Sequence, residues 1–153
     1  MQTNLLGLDV YDALIALGKL VIALVFGAAI GWERERHEKA AGLRTHMLLS
    51  GGACLFAIVG IQVQAMFPQA DLLRVVQGAL MGTGFLAGGV IFREGASVRG
   101  LTTAAGLWML AAIGLAVGLG AFVLAFIATV LSFITISLLG RVESKAKSRL
   151  RRG

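Results

Sequence analysis

Apolar residues run along this chain in long blocks, and the charged ones fall in short clusters between them. From residue 10 to 32 only Asp12 and Lys19 are charged; from 45 to 68 there is no charge, and 75–92 and 101–140 are likewise bare. A helix needs about 20 apolar residues to cross the hydrocarbon core. The pattern therefore predicts an all-α integral membrane protein with five transmembrane helices, over residues 13–32, 45–67, 72–92, 101–117 and 120–139. The last two are kept apart because one rod from 101 to 139 would be about 60 Å long, roughly twice the hydrocarbon thickness. Gly118 and Gly120 supply the helix-ending residues for a tight turn between them.

Composition agrees: 58% of the 153 residues are hydrophobic and 14% are charged, against about a quarter charged in soluble domains. Charge then gives the expected orientation. With five spans, segments 33–44, 93–100 and the tail from Arg141 share one side. They hold four, two and six Lys and Arg, twelve of the fourteen. Basic residues in short loops mark the cytoplasmic side, so the N-terminus is expected outside and the C-terminus inside. Residues 1–140 read as the membrane domain and 141–153 as a basic cytoplasmic tail. The tail pattern suits anionic lipid, at about 1 kcal/mol per charge, better than nucleic acid. The first residues lack a basic n-region, and span one runs into "GWERER", so no cleaved leader is expected. Cys54 is the single cysteine and reads as a small buried hydrophobe.

The chain has 21 glycines, and several fall in small-xxx-small pairs: Gly27/Gly31, Gly78/Gly82, Gly84/Gly88 and Gly114/Gly118. Lipid gives helices no hydrophobic reason to associate, so contact depends on close backbone approach at such residues. These eight glycines are expected to pack helices, within one chain or between the copies of a homo-oligomer. They are not a nucleotide site. Gly82, Gly84 and Gly88 give G-x-G-x-x-x-G, one residue too long for a dinucleotide fingerprint, and no Lys-Ser or Lys-Thr pair follows a glycine as a P-loop needs.

Candidate chemistry lies at the span ends. In "GWERERHEKAAGLRTH" a continued helix would offer Glu33–Arg36 and Arg34–Glu38 pairs. In "IFREGASVRGLTT", Gly95 and Gly100 close a turn, and Ser97, Thr102 and Thr103 can cap the next helix. One reading makes Arg34, Arg44, Arg93 and Arg99 topology anchors in the headgroups. The other brings the two turns together in a polar cytoplasmic cavity, where Glu33 and Glu94 supply carboxylate and Arg44 and Arg99 either hold them or bind an anion bidentately. Asp12, near the outer surface, and Glu33 are the candidate metal carboxylates, Mg²⁺ being held by one or two such groups. Lys19, about 9 Å into the first span, either snorkels outward or faces a polar interior. His37 and His46 do not suit a shared metal, though His46 is a candidate to respond to pH. No catalytic constellation and no cofactor motif is present.

The stretches "GAAIGWERERHEKAAGLRTHMLL" (27–49) and "GTGFLAGGVIFREGASVRGLTTAAGLWMLAAIGLAVGLG" (82–120) resemble the MgtC/SapB family of bacterial inner-membrane proteins, and the likeness extends over 14–139. It departs at "GFLAGGVI", where members usually read G-F-L-G-A-G-V-I. It also departs in the short tail, where many members carry a soluble C-terminal domain. The resemblance implies five spans and a role in magnesium homeostasis and survival at low Mg²⁺, with Mg²⁺ as the ligand or substrate to consider. The family-like positions with side-chain chemistry are Glu33, Arg34, Arg44, Thr45, Arg93, Arg99, Thr102 and Thr103. Two functions follow: a non-enzymatic protein that acts on other membrane proteins, or a direct transporter or channel for Mg²⁺ or another small solute.

Overall fold

A computed structural model describes residues 9–139 of the chain. The basic tail lies outside the described residues. The order is α1 (Val10–Arg36), α2 (Leu43–Met66), α3 (Leu72–Gly88), a hairpin of β1 (Phe92–Glu94) and β2 (Ser97–Arg99), α4 (Leu101–Gly118) and α5 (Phe122–Ile134). A π-helical turn, Thr135–Leu139, extends α5. The structure is thus mostly helical. α1, α2 and α4 are each long and apolar enough to cross a membrane, while α3 and α5 with its extension are shorter apolar helices.

Contacts fix the directions of the helices. Gly27 and Gly31 of α1 meet His46 and Leu43 of α2, so these two run antiparallel. Gly114 meets Ser50 and Gly118 meets Cys54, so α4 runs parallel to α2. Gly106 touches Ile136, which sets α5 antiparallel to α4. The chain therefore runs up and down through the bundle. One end, called here the hairpin end, gathers the ends of α1, α3 and α5 with the starts of α2 and α4.

α4 sits at the centre and touches the other four helices. Leu107, Leu110, Ala111, Ile113 and Val117 are buried in it, with Ala23 and Ile30 of α1 and Cys54 and Ala57 of α2. The outer faces carry Leu48, Met81, Phe85 and Val123, all largely exposed. Water would not tolerate so broad an apolar surface, but lipid does. Inside the helices Thr83, Thr129 and Thr135 donate to the carbonyl four residues back, at 2.7–2.8 Å. That satisfies each hydroxyl where water is absent.

Three expectations need correction. The fold is not wholly α: the segment read as the end of span three and a turn is a short antiparallel hairpin, with Phe92 opposite Arg99 and Glu94 opposite Ser97. α3 stops at Gly88, four residues before residue 92, because Gly88–Gly89 opens a turn at its end. The start of α4 has no side-chain cap. Gly100 occupies the N-cap position at φ +89°, and a Cβ there would strike the Val90 carbonyl. Ser97 instead donates to the Glu94 carbonyl, Thr102 is exposed and Thr103 is buried. The turn after α4 agrees with the sequence. Gly120, at φ +86°, lets its own N–H reach Val117 and that of Ala121 reach Ala116, a glycine-based helix stop.

Candidate functional site

The buried polar side chains concentrate at the hairpin end. Glu33 and Arg34 close α1, and both are buried. The Arg34 Nε donates to Glu33 Oε2 at 2.6 Å, a bond between sequence neighbours. The exposed ring of His37, one turn on, meets the other Glu33 oxygen at 3.2 Å. The pairs expected from helical spacing, Glu33–Arg36 and Arg34–Glu38, do not form. The helix ends at Arg36, and Arg36 lies over the Trp32 ring at 5.8 Å instead.

α2 starts beneath this pair. Glu35 Oε2 accepts the Leu43 N–H at 2.8 Å, so a carboxylate from α1 caps α2. A Cβ on Gly42 would collide with the carboxylate end of exposed Glu35 and displace this cap. Three residues on, His46 is fully buried, and its Nδ1–H donates to the Gly42 carbonyl at 2.8 Å. That bond commits the proton of the neutral ring to Nδ1. The Nε2 atom is buried without a partner, as is the Ser50 hydroxyl one turn deeper; Ser137 Oγ, in the π-helical turn, is the third such atom among the described residues.

The two polar turns do not merge into one cavity. Arg99 pairs with Glu94 across the hairpin, and Arg93 donates to the Gly95 carbonyl at 2.9 Å; all these groups are exposed. Arg44 and Thr45 are exposed on the first turn of α2. Arg34, not Arg44, holds Glu33. Of the eight side chains named from sequence, Glu33, Arg34 and Thr103 are buried, and Arg44, Thr45, Arg93, Arg99 and Thr102 lie on the surface. Asp12 stands in the first turn of α1, at the other end of the bundle from Glu33. Among the described residues no group of three or more His, Cys, Asp or Glu is placed to hold a metal ion.

The glycine pairs separate into two kinds. A Cβ on Gly27 or Gly31 would come within 2.7–2.9 Å of α2 atoms, and one on Gly118 within 2.6 Å of Ala57 and the Cys54 carbonyl. Gly114 presses on the Ser50 carbonyl. Gly78, Gly82, Gly84 and Gly88, all on α3, meet nothing within 4 Å. At the far end the Lys19 Nζ donates to the Gly118 carbonyl at 2.8 Å, at the C-terminus of α4.

The family model of the MgtC family matches residues 20–145. The chain belongs to the MgtC family. Protein MgtC of Salmonella typhimurium is 43% identical over 112 residues, which cover 73% of this chain and 47% of that protein. Protein SrpB of Synechococcus elongatus is 37% identical over 136 residues, covering 82% and 75%. An uncharacterized Haemophilus influenzae protein is 37% identical over 134 residues, covering 83% and 56%. The chain spans about half the length of the first relatives it matches. No solved structure matches it. Membership of the MgtC family, with three spans-worth of long apolar helix, makes this a membrane protein.

The match covers both the Glu33–Arg34–His46 group and the hairpin. Sequence reasoning chose Glu33, Arg34 and Thr103 and weighed His46 for pH, but it missed Ser50. The i, i+4 spacing of His46 and Ser50 on an otherwise apolar helix was the available signal.

Proposed function

We propose that this protein is a non-enzymatic, multi-pass protein of the bacterial inner membrane that serves adaptation to low Mg²⁺ by acting on other membrane proteins. All five helices cross, with the hairpin end in the cytoplasm. The up-and-down order and the clustering of Lys and Arg at that end support this topology. The magnesium link comes with the family resemblance, and a homo-oligomer and anionic lipid at the tail are the accompanying partners.

The observation that carries the choice of role is the closed middle of the bundle. A transporter needs a polar site near the midplane. Here Gly114 sets α4 directly on the Ser50 backbone of α2, and Ala23, Cys54, Leu110 and Ile113 fill the space around it. The bare glycine face of α3 supports a docking role, since close helix approach is what such residues permit.

The test has two parts. A strain lacking the protein should regain growth at low Mg²⁺ when it is supplied, and the purified protein should move no Mg²⁺ into liposomes. Flux from the protein alone sinks this reading and leaves the transporter.

A further inference from the structure

At the end away from the hairpin the helices do not reach the same height. Lys19 bonds the Gly118 carbonyl, and Gly118 rests on the Cys54 backbone, so these three residues share one level. Beyond it α1 continues back to Val10, roughly 13 Å, and α2 continues to Met66, roughly 18 Å. α3 also begins beyond it, since Leu72 and Val75 meet Gly60. α4 has already ended there, and the turn 119–121 leads straight into α5. One stripe of α1 records the step. Ala23 is buried, Lys19 and Ala16 are half-buried and Asp12 is exposed.

With residues 13–32 of α1 in the hydrocarbon, the turn lies about 9 Å inside it. Leu119, Gly120 and Ala121 are exposed. Ala121 has no side chain to cap α5, and among the described residues the N–H groups of Phe122, Val123 and Leu124 have no hydrogen-bond partner. Lipid offers such groups nothing, so irregular backbone at this depth is tolerated only where protein covers it or water reaches it. Lys19 poses the same problem. Gly118 takes one donor of its amine, and an ionisable side chain inside a membrane faces a partner or a water-filled cavity. Below this level the bundle is shut, with Gly118 on Cys54 and Gly114 on Ser50.

We propose that the α4–α5 turn and Lys19 form the floor of a blind, water-filled crevice that opens at the Asp12 end of the bundle. Its walls are the start of α1, the end of α2 and the start of α3, and it admits small ionic solutes as far as Lys19. Water there satisfies the first N–H groups of α5 and the remaining donors of the Lys19 amine. The crevice rests on the membrane crossing proposed above. It does not depend on which side the Asp12 end faces, nor on whether the chain acts on a partner or carries an ion.

The test uses single cysteines in the full chain in sealed membranes, with Cys54→Ala removing the one native thiol. Ala121→Cys reports the floor, and Leu119→Cys in the same turn replaces it if that variant fails to fold. Leu17→Cys lies at the same depth but two residues from Lys19, on the opposite, exposed side of α1. Tyr11→Cys reports the mouth. Each is treated from either side with a membrane-impermeant methanethiosulfonate that carries a sulfonate. Tyr11→Cys and Ala121→Cys should react from the same side, and Leu17→Cys from neither. Adding Lys19→Gln, which keeps a donor for Gly118 and removes the charge, should slow the reaction of Ala121→Cys several-fold and leave that of Tyr11→Cys unchanged. An inert floor cysteine beside a reactive Tyr11→Cys overturns the crevice. So does a Leu17→Cys that reacts as fast as Ala121→Cys, since the turn would then stand at the surface. A floor rate indifferent to Lys19→Gln removes Lys19 from the floor. If Tyr11→Cys and Ala121→Cys both react from the cytoplasmic side, the proposed orientation fails and the crevice stands.

Discussion

The contact between α2 and α4 rests on the missing methyl groups of Gly114 and Gly118, and restoring the first should open the bundle. A Cβ built on Gly114 overlaps the Ser50 carbonyl oxygen and stands 3.0 Å from the Ala53 Cβ. Carbon atoms rest about 3.5–4.0 Å apart. The oxygen belongs to helix backbone and cannot swing aside, so Gly114→Ala must push α4 from α2 by roughly 1 Å. Overpacking of this kind costs about 1–3 kcal/mol, and the separation also loosens Leu110 and Ile113, which pack on either side. Gly82→Ala provides the control. A Cβ there meets nothing within 4 Å, and alanine exceeds glycine in helix propensity by about 1 kcal/mol. Reversible unfolding in mixed micelles, followed by tryptophan fluorescence, measures both. Gly114→Ala should shift the unfolding equilibrium about 5- to 150-fold toward the unfolded state, and Gly82→Ala should leave it level or slightly raised. If the two substitutions behave alike, the close α2–α4 approach is not what holds the core, and the closed midplane loses its support. Gly82→Leu extends the comparison to function: it should spare folding yet abolish growth at low Mg²⁺ if α3 docks on another helix.

Three further outcomes follow from named contacts. Lys19→Met keeps the length of the side chain but leaves the Gly118 carbonyl open, and should lower stability by about 1–3 kcal/mol, with faster hydrogen exchange at the α4–α5 turn. Removing one member of the Glu33–Arg34 pair leaves a buried charge, at a cost of about 3–5 kcal/mol. The double variant Glu33→Gln, Arg34→Met should recover most of that, and a double-mutant cycle that adds up simply would show the pair to be uncoupled. Glu35→Ala removes the cap on α2 and should cost about 1 kcal/mol, seen as fraying at Leu43 and Arg44 in hydrogen exchange while the centre of α2 stays protected.

What the sequence revealed and what it hid divide along a physical line. Blocks of apolar residues depend on burial alone, so all five helices, α5 taken with its π-helical turn, start and stop within about four residues of their predicted ends. α3 ends early, at Gly88, because Gly88–Gly89 weakens a helix that hydropathy alone would have continued to residue 92. Local hydrogen-bond competition settled that end, and a window of apolar residues does not contain it. The glycine pairs show the same limit. All four have the same spacing in sequence, yet only Gly27/Gly31 and Gly114/Gly118 meet another helix of the chain. Spacing fixes a face on one helix; it does not say which face the neighbour takes. The polar site failed for a related reason. Glu33 and Arg34 are sequence neighbours, and helical logic looks for partners three or four residues away. Their pairing arises because both are drawn inward at the end of α1, where α2 begins beneath them. His46 and Ser50 were legible as polar residues in a span, but their shared isolation depends on how tightly Gly31 and Gly114 close over them. The glycines are therefore part of the site. Gly31 packs α1 on the His46 Cβ and Gly114 packs α4 on the Ser50 carbonyl, and the polar ends of both side chains are left without a partner.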